Sequence, residues 1–271
     1  MERQLPTLEI EGTSFVVDVD SMVIIQKGVP ENKIQFAEMD NEDTHYSMEF
    51  DPISRSLAEG GSTSEASKWV NIPRMTQLDP QGMASKYHVP VEGISDKMDF
   101  EVMLESPDLV MRMQGKLNRI EIESHPFYVD FNMWSLRPHN DFSTLGISMA
   151  PLYENEEYEF FPEDTIYLYK PDKHELFEPD WGIITELPKD TVILKFPFLK
   201  EMDPVGYAHK FNRPLKELLL ETNFKPVTKA IKRELTETNL PELFKQNKER
   251  LAREKAQEKK NAPIKRKSRG I

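Results

Sequence analysis

No cysteine occurs in the 271 residues, which excludes disulfides, thiolate zinc sites, iron-sulfur clusters and cysteine nucleophiles. Long apolar runs are missing too. No stretch approaches the roughly 20 residues that a spanning helix needs. The opening Met1 Glu2 Arg3 Gln4 Leu5 Pro6 also lacks the apolar core of a secretory signal. The expectation is a soluble, cytoplasmic protein with no membrane contact. Glycine is sparse, at 11 residues, and the phosphate cradles GxGxxG and GxxxxGK[ST] are absent, so nucleotide chemistry is disfavoured. The serine elbow GxSxG is absent as well.

Histidine is equally thin. The six are His45, His88, His125, His139, His174 and His209; none sits at the metal-ligand spacing of a helix or strand, and there is no HExxH. His139 Asn140 Asp141 comes nearest to a constellation, but Pro138 before it and Phe142 Ser143 after it read as an exposed turn. No catalytic residue, metal ligand or cofactor site is assigned from the sequence.

What is present is charge, unevenly spread. From Lys225 to Ile271 there are 15 Lys and Arg against 6 Asp and Glu, a net of +9, which leaves −21 for the first 224 residues. An acidic body repels phosphate backbones, so nucleic-acid contact would run through the tail. The candidate binding residues are Lys259, Lys260, Lys265, Arg266, Lys267 and Arg269. No aromatic residue interleaves them, which argues against stacking on single-stranded bases.

The chain also repeats itself. Leu5 to Asp20 (LPTLEIEGTSFVVDVD) and Leu117 to Asn132 (LNRIEIESHPFYVDFN) share 7 of 16 ungapped positions. Ile72 to Phe100 and Phe196 to Phe224 share 8 of 29. Average residue usage gives roughly one or two identities by chance in such windows. A weaker pair, Met48 to Leu57 against Tyr167 to Leu176, lies between them, and the offset grows from 112 through 119 to 124. Insertions in loops of the second copy account for that drift.

Within each copy the apolar residues first alternate with period two, at Leu8, Ile10, Phe15, Val17 and Val19 and again at Ile120, Ile122, Phe127, Val129 and Phe131. Alternation predicts half-buried strands in an antiparallel meander. Asp18 and Asp130 close the second strand of each copy, where a turn hydrogen bond explains them better than a divalent cation. Glu9, Glu11, Glu121 and Glu123 alternate with the core residues and read as a solvated face. Later, Asp79 Pro80 and Asp203 Pro204 place an N-cap acceptor before a proline at the first helical position. Gly82 and Gly206 inside these short helices point to close packing of helix on strand.

Ala58 to Ala66 reads as a flexible loop, and Tyr153 to Phe160 as an acidic insertion. Beyond Thr228 the spacing of Val227, Ile231 and Leu235 predicts a continued helix, broken at Asn239 Leu240 Pro241 and followed by a second helix with a thin apolar stripe. Lys255 onward reads as a fraying helix that passes into disorder.

The fold expected is α+β: a tandem duplication of a small antiparallel-sheet module carrying a short helix, then a helical, basic C-terminal tail. Its parts are residues 1–104, a linker 105–116, a second repeat 117–228, a helical extension 229–253 and a basic disordered tail 254–271. The function expected is a non-catalytic interaction or adaptor protein whose tail engages an acidic protein partner. Nucleic-acid binding through that tail, or an enzyme with a site between the modules near Asp130, His139 or His209, stands as the alternative.

Overall fold

The computed structural model describes residues 3–58, 66–141, 143–157 and 166–261. Its first strands are β1 (Thr7–Ile10), β2 (Thr13–Asp18), β3 (Val23–Gln26) and β4 (Lys33–Gln35), and a 3-10 turn follows at Phe36–Glu38. Next come β5 (Asp40–Asn41), β6 (His45–Asp51), β7 (Ser56–Leu57) and β8 (Lys68–Pro73). Four helices succeed them: α1 (Met75–Leu78), α2 (Pro80–Tyr87), α3 (Asp99–Leu104) and α4 (Pro107–Met113).

The chain then returns to strands β9 (Arg119–Ile122), β10 (His125–Asp130), β11 (Ser135–Pro138) and β12 (Ile147–Ser148), helix α5 (Ala150–Glu157), and strands β13 (Tyr167–Lys170), β14 (Glu175–Phe177) and β15 (Val192–Lys195). Helices α6 (Leu199–Met202), α7 (Pro204–Phe211) and α8 (Leu215–Glu221), strands β16 (Val227–Lys229) and β17 (Ile231–Arg233), and helix α9 (Leu240–Asn261) complete it.

The protein is therefore mixed α+β. One sheet is the meander β1-β2-β3-β4, another runs β12-β11-β10-β9-β16, a third β14-β13-β15-β17, and a fourth β5-β6-β7, with β8 on the other side of β6. The pairings with an assigned register are antiparallel. No helix among the described residues is long and apolar enough to cross a membrane.

Two compact units result, and neither is a continuous segment. The first takes Met1–Arg119, Val129–Asn132 and Leu199–Thr228; the second takes Ile120–Tyr128, Met133–Phe198 and Lys229–Ile271. The core of the first is built from alternate strand residues, Phe15, Val17, Ile24, Met48 and Phe50, with Met83 and Tyr87 of α2 laid across them. Leu219 and Phe224, from far along the chain, belong to the same cluster. In the second unit Leu240 and Phe244 of α9 pack on Leu168 and Ile193 of the β13–β15 pair. Burial of this kind contributes about 25 cal/mol per Å2 of apolar surface.

The stretch whose spacing predicts a helix at Val227 to Leu235 instead forms β16 and β17. Val227 and Ile231 are exposed, at 37% and 57%, so the four-residue spacing marks no buried stripe. Pairing decides the matter: Ala230 donates its N–H to the carbonyl of Glu121 (2.9 Å), and β17 pairs along β15. Helix α9 runs on to Asn261, and the remainder of the tail expected to be disordered, 262–271, lies outside the described residues. The loop reading at 59–65 and the end of the acidic insertion at 158–160 lie outside the described residues, while the start of that insertion belongs to α5.

Candidate functional site

The helix starts at Asp79 and Asp203 look alike in sequence and differ in use. Asp79 caps α2, its Oδ1 accepting from the Gly82 N–H at 2.9 Å, and also takes the Arg3 guanidinium. Asp203 stands at the same N-cap position of α7 but makes no side-chain cap bond. Its carboxylate is engaged by Arg112 instead, Nε donating to Oδ1 and Oδ2 at 2.9 and 3.0 Å and Nη2 to Oδ2 at 2.7 Å. The expected cap is thus corrected: the guanidinium fork takes both oxygens, and a planar bidentate pair outcompetes a single amide. The glycines do sit in tight places. A Cβ on Gly82 would lie 2.5 Å from Val19, and one on Gly206 2.6 Å from Phe131.

A second buried carboxylate organises the first unit. Asp99, 4% exposed, accepts from the Tyr46 hydroxyl at 2.7 Å and from the backbone N–H of Met75 and Thr76 at 3.0 and 2.8 Å. Burial, then the neighbouring Asp99 charge, pushes the Tyr46 hydroxyl far above the usual phenol range. The carboxylate thereby caps α1 from a distance.

Lys86 of α2 donates to the carbonyls of Val19 (2.7 Å) and Asp20 (3.3 Å), tying the helix to the β2–β3 turn. Burial lowers its ammonium from 10.5 to about 8, with Asp20 opposing the shift. The depressed group disfavours its proton in the fold, so the unfolded chain binds more protons between those two values. Unfolding free energy should therefore rise as pH climbs through that window, by about 1–2 kcal/mol given the partial solvent access. Lys86→Met should flatten the rise in urea melts; parallel profiles for the two proteins would contradict this account.

Histidines far apart in sequence meet in the second unit. The rings of His125 and His174 lie edge to face with centroids 5.2 Å apart, and His174 Nδ1 is 2.9 Å from the Tyr169 hydroxyl, itself pushed up to about 12 by burial. Their separation of 49 positions left no spacing signal. His139 is half-buried against Tyr128, with centroids 4.9 Å apart, rather than a free loop residue, whereas His209 is exposed on α7. Asp18 and Asp130 accept turn amide hydrogens, Asp18 from Asp20 and Ser21, Asp130 from Asn132. No group of three or more His, Asp and Glu among the described residues could hold a metal ion.

Two clefts remain. One in the first unit, about 500 Å3, is lined by Phe36, Met39, Asp40, Asp43, Tyr46 and Lys216 among others. Its rim carboxylates are largely answered, Asp43 by Lys216, and Glu221 by Lys200 (3.0 Å) and Arg213 (3.6 Å). The other, about 470 Å3 in the second unit, has Tyr167, Leu176, Phe177 and Trp181 for walls and Glu154 and Glu178 at its mouth.

The tail residues divide. Lys259 and Lys260 fall within the last turn of α9, and Lys265, Arg266, Lys267 and Arg269 lie outside the described residues. Before them, Asn247 is buried and its Nδ2 donates to the carbonyls of Trp181 (2.9 Å) and Ile184 (2.8 Å), and Arg250 reaches the carbonyl of Gly182. These contacts anchor the helix. From Glu254 to Gln257 every residue is exposed, and ion pairs Arg250–Glu254 and Arg253–Glu249 at 3.0 and 3.5 Å run along its surface. Set against protein-family models, curated proteins and solved structures, the chain matches none, and what its residues do is read from their geometry.

Proposed function

We propose that the protein is a non-catalytic interaction protein made of two duplicated α+β modules, with the basic end of α9 and the residues after it as an arm for an acidic protein partner. The observation that carries the reading is the emergence of α9 from its unit: a helix anchored at Phe244 and Asn247 continues to Asn261, with only Leu251 half-buried between Lys248 and Gln257. A helix with so little to bury on its second half is held out for contact with something else.

Duplication is supported by backbone detail that strand alternation alone does not require. Val17 and Val129 donate to the carbonyls of Pro6 and Asn118, both at 2.9 Å, and Val89 and Arg213 to those of Ala84 and Ala208 at 3.1 and 3.0 Å. Left-handed φ angles recur at Met22 and Trp134 (56° and 55°), Arg55 and His174 (58° and 52°), and His88 and Asn212 (54° and 52°). Non-glycine residues adopt that region seldom.

An acidic protein is favoured over nucleic acid because no aromatic residue interleaves the basic run to stack on bases. Deleting residues 258–271 should leave the melting temperature within about a degree, since the segment has few apolar side chains to contribute. Capture of an acidic partner from native extract should be lost in the deletion and fall steeply as salt rises. Capture abolished by nuclease would transfer the arm to nucleic acid, and capture untouched by the deletion would remove it from the binding surface.

A further inference from the structure

We infer that the outer edge of β8 is a docking site for a short, extended, basic strand of a partner protein. The inference rests on the duplication proposed above, because it comes from comparing one repeat with the other. Strand β6 pairs with β8 so that Glu49 faces Trp69 and Met48 faces Val70. Strand β13 pairs with β15 so that Leu168 faces Ile193 and Tyr167 faces Leu194. With the offsets of the repeat, Trp69, Val70 and Asn71 correspond to Ile193, Leu194 and Lys195.

The far edge of those three later residues is occupied. Ile193 pairs with Arg233, Leu194 with Lys232 and Lys195 with Ile231, all in β17. Among the described residues no strand pairs with the far edge of β8, and no turn or loop hydrogen bond takes up the backbone of residues 68–72. The same contrast holds on the sheet face. Ile193 and Leu168 are each 2% exposed, beneath Leu240 and Phe244 of α9. Trp69 is 66% exposed. What the second repeat covers with β17 and α9, the first leaves open among the described residues, and open strand edges recruit strands.

The occupant's chemistry follows from β17. Its Arg233 lies across from Ile193; in the equivalent place on β8 a guanidinium would lie beside the Trp69 indole, with the Glu49 carboxylate next along the ladder. Cation–π attraction and opposite charge both favour a basic residue there. A β-branched residue two places earlier, as Ile231 in β17, would lie across from Asn71. Lys68 and Pro73 at the two ends of β8 limit the pairing to a few residues, so the affinity is weak, about 0.1–1 mM.

The test uses the 15N-labelled full chain and a blocked peptide of the sequence Lys229–Leu235, which carries the β17 pattern. Saturable amide shifts confined to residues 68–72, together with the Trp69 indole, are expected, several-fold weaker in Trp69→Ala and lost when the peptide's arginine is replaced by glutamate. Absence of shifts at millimolar peptide, or shifts confined to β15 and its neighbours, would overturn the docking site. The duplication fails separately, in an experimental structure where Trp69–Asn71 and Ile193–Lys195 did not superpose.

Discussion

Asp203→Ala is expected to lower the unfolding free energy by about 3–5 kcal/mol, the cost of removing one partner from a buried ion pair. Asp203 is fully buried and Arg112 only 11% exposed, so the guanidinium left behind has little water to turn to. Asn118, whose Nδ2 donates to the Met202 carbonyl at 3.0 Å and approaches Asp203 Oδ1 at 3.5 Å, offers no acceptor of comparable strength. Asp79→Ala should cost less, about 1–2 kcal/mol, for its partner Arg3 is 33% exposed and can be hydrated. Replacing both charges, as in Arg112→Met with Asp203→Leu, should recover much of the loss, since an apolar pair of similar volume needs no desolvation. Urea melts of the four proteins check the ordering. Equal losses in Asp79→Ala and Asp203→Ala would show that the cap position, and not the buried pair, sets the cost.

Asp99→Ala should be of similar size, about 3–5 kcal/mol, through a different mechanism. It strands three donors at once, the Tyr46 hydroxyl and the N–H groups of Met75 and Thr76, and each unsatisfied buried donor costs about 1–3 kcal/mol. Tyr46→Phe removes one donor without stranding another and should cost only about 1 kcal/mol. Phenolate absorbance supplies an independent reading. In the intact protein Tyr46 resists ionisation because burial and Asp99 disfavour its anion, and Tyr87 does so for the same reasons, so these two tyrosines should titrate only with unfolding. A full complement of tyrosines titrating before the unfolding transition would show the hydroxyls to be accessible.

The elements that were legible in the sequence are those set by local rules. Alternation at Phe15, Val17 and Val19 gave strand faces, Asp79 Pro80 and Asp203 Pro204 marked helix starts, and Gly82 and Gly206 announced close approach. Each of these depends on neighbours within a few positions. The failures are non-local. Nothing near Arg112 points to Asp203, 91 positions away, and nothing near Tyr46 points to Asp99, 53 positions away. Residues 227–233 misled for the same reason, because their apolar spacing fits a helix while the bonds that decide between helix and strand come from Glu121 and β15. The candidate site was less legible still. A basic run is visible in any sequence, but the docking edge proposed on β8 emerges only from comparing its pairing with that of β15, which β17 flanks.

The discontinuous first unit sets a timetable for biosynthesis. Its core needs Leu219 and Phe224, yet Met1–Arg119 leaves the ribosome long before Leu199–Thr228 exists. At translation rates of about 5–20 residues per second, the early sheets wait roughly 5–20 s for their remaining cover. During that interval the apolar surface that Leu219 and Phe224 later cover has no permanent neighbour, and a chaperone that binds such surface would find its substrate there. A fragment ending at Arg119 reproduces the waiting state indefinitely, and is expected to aggregate where the full chain folds.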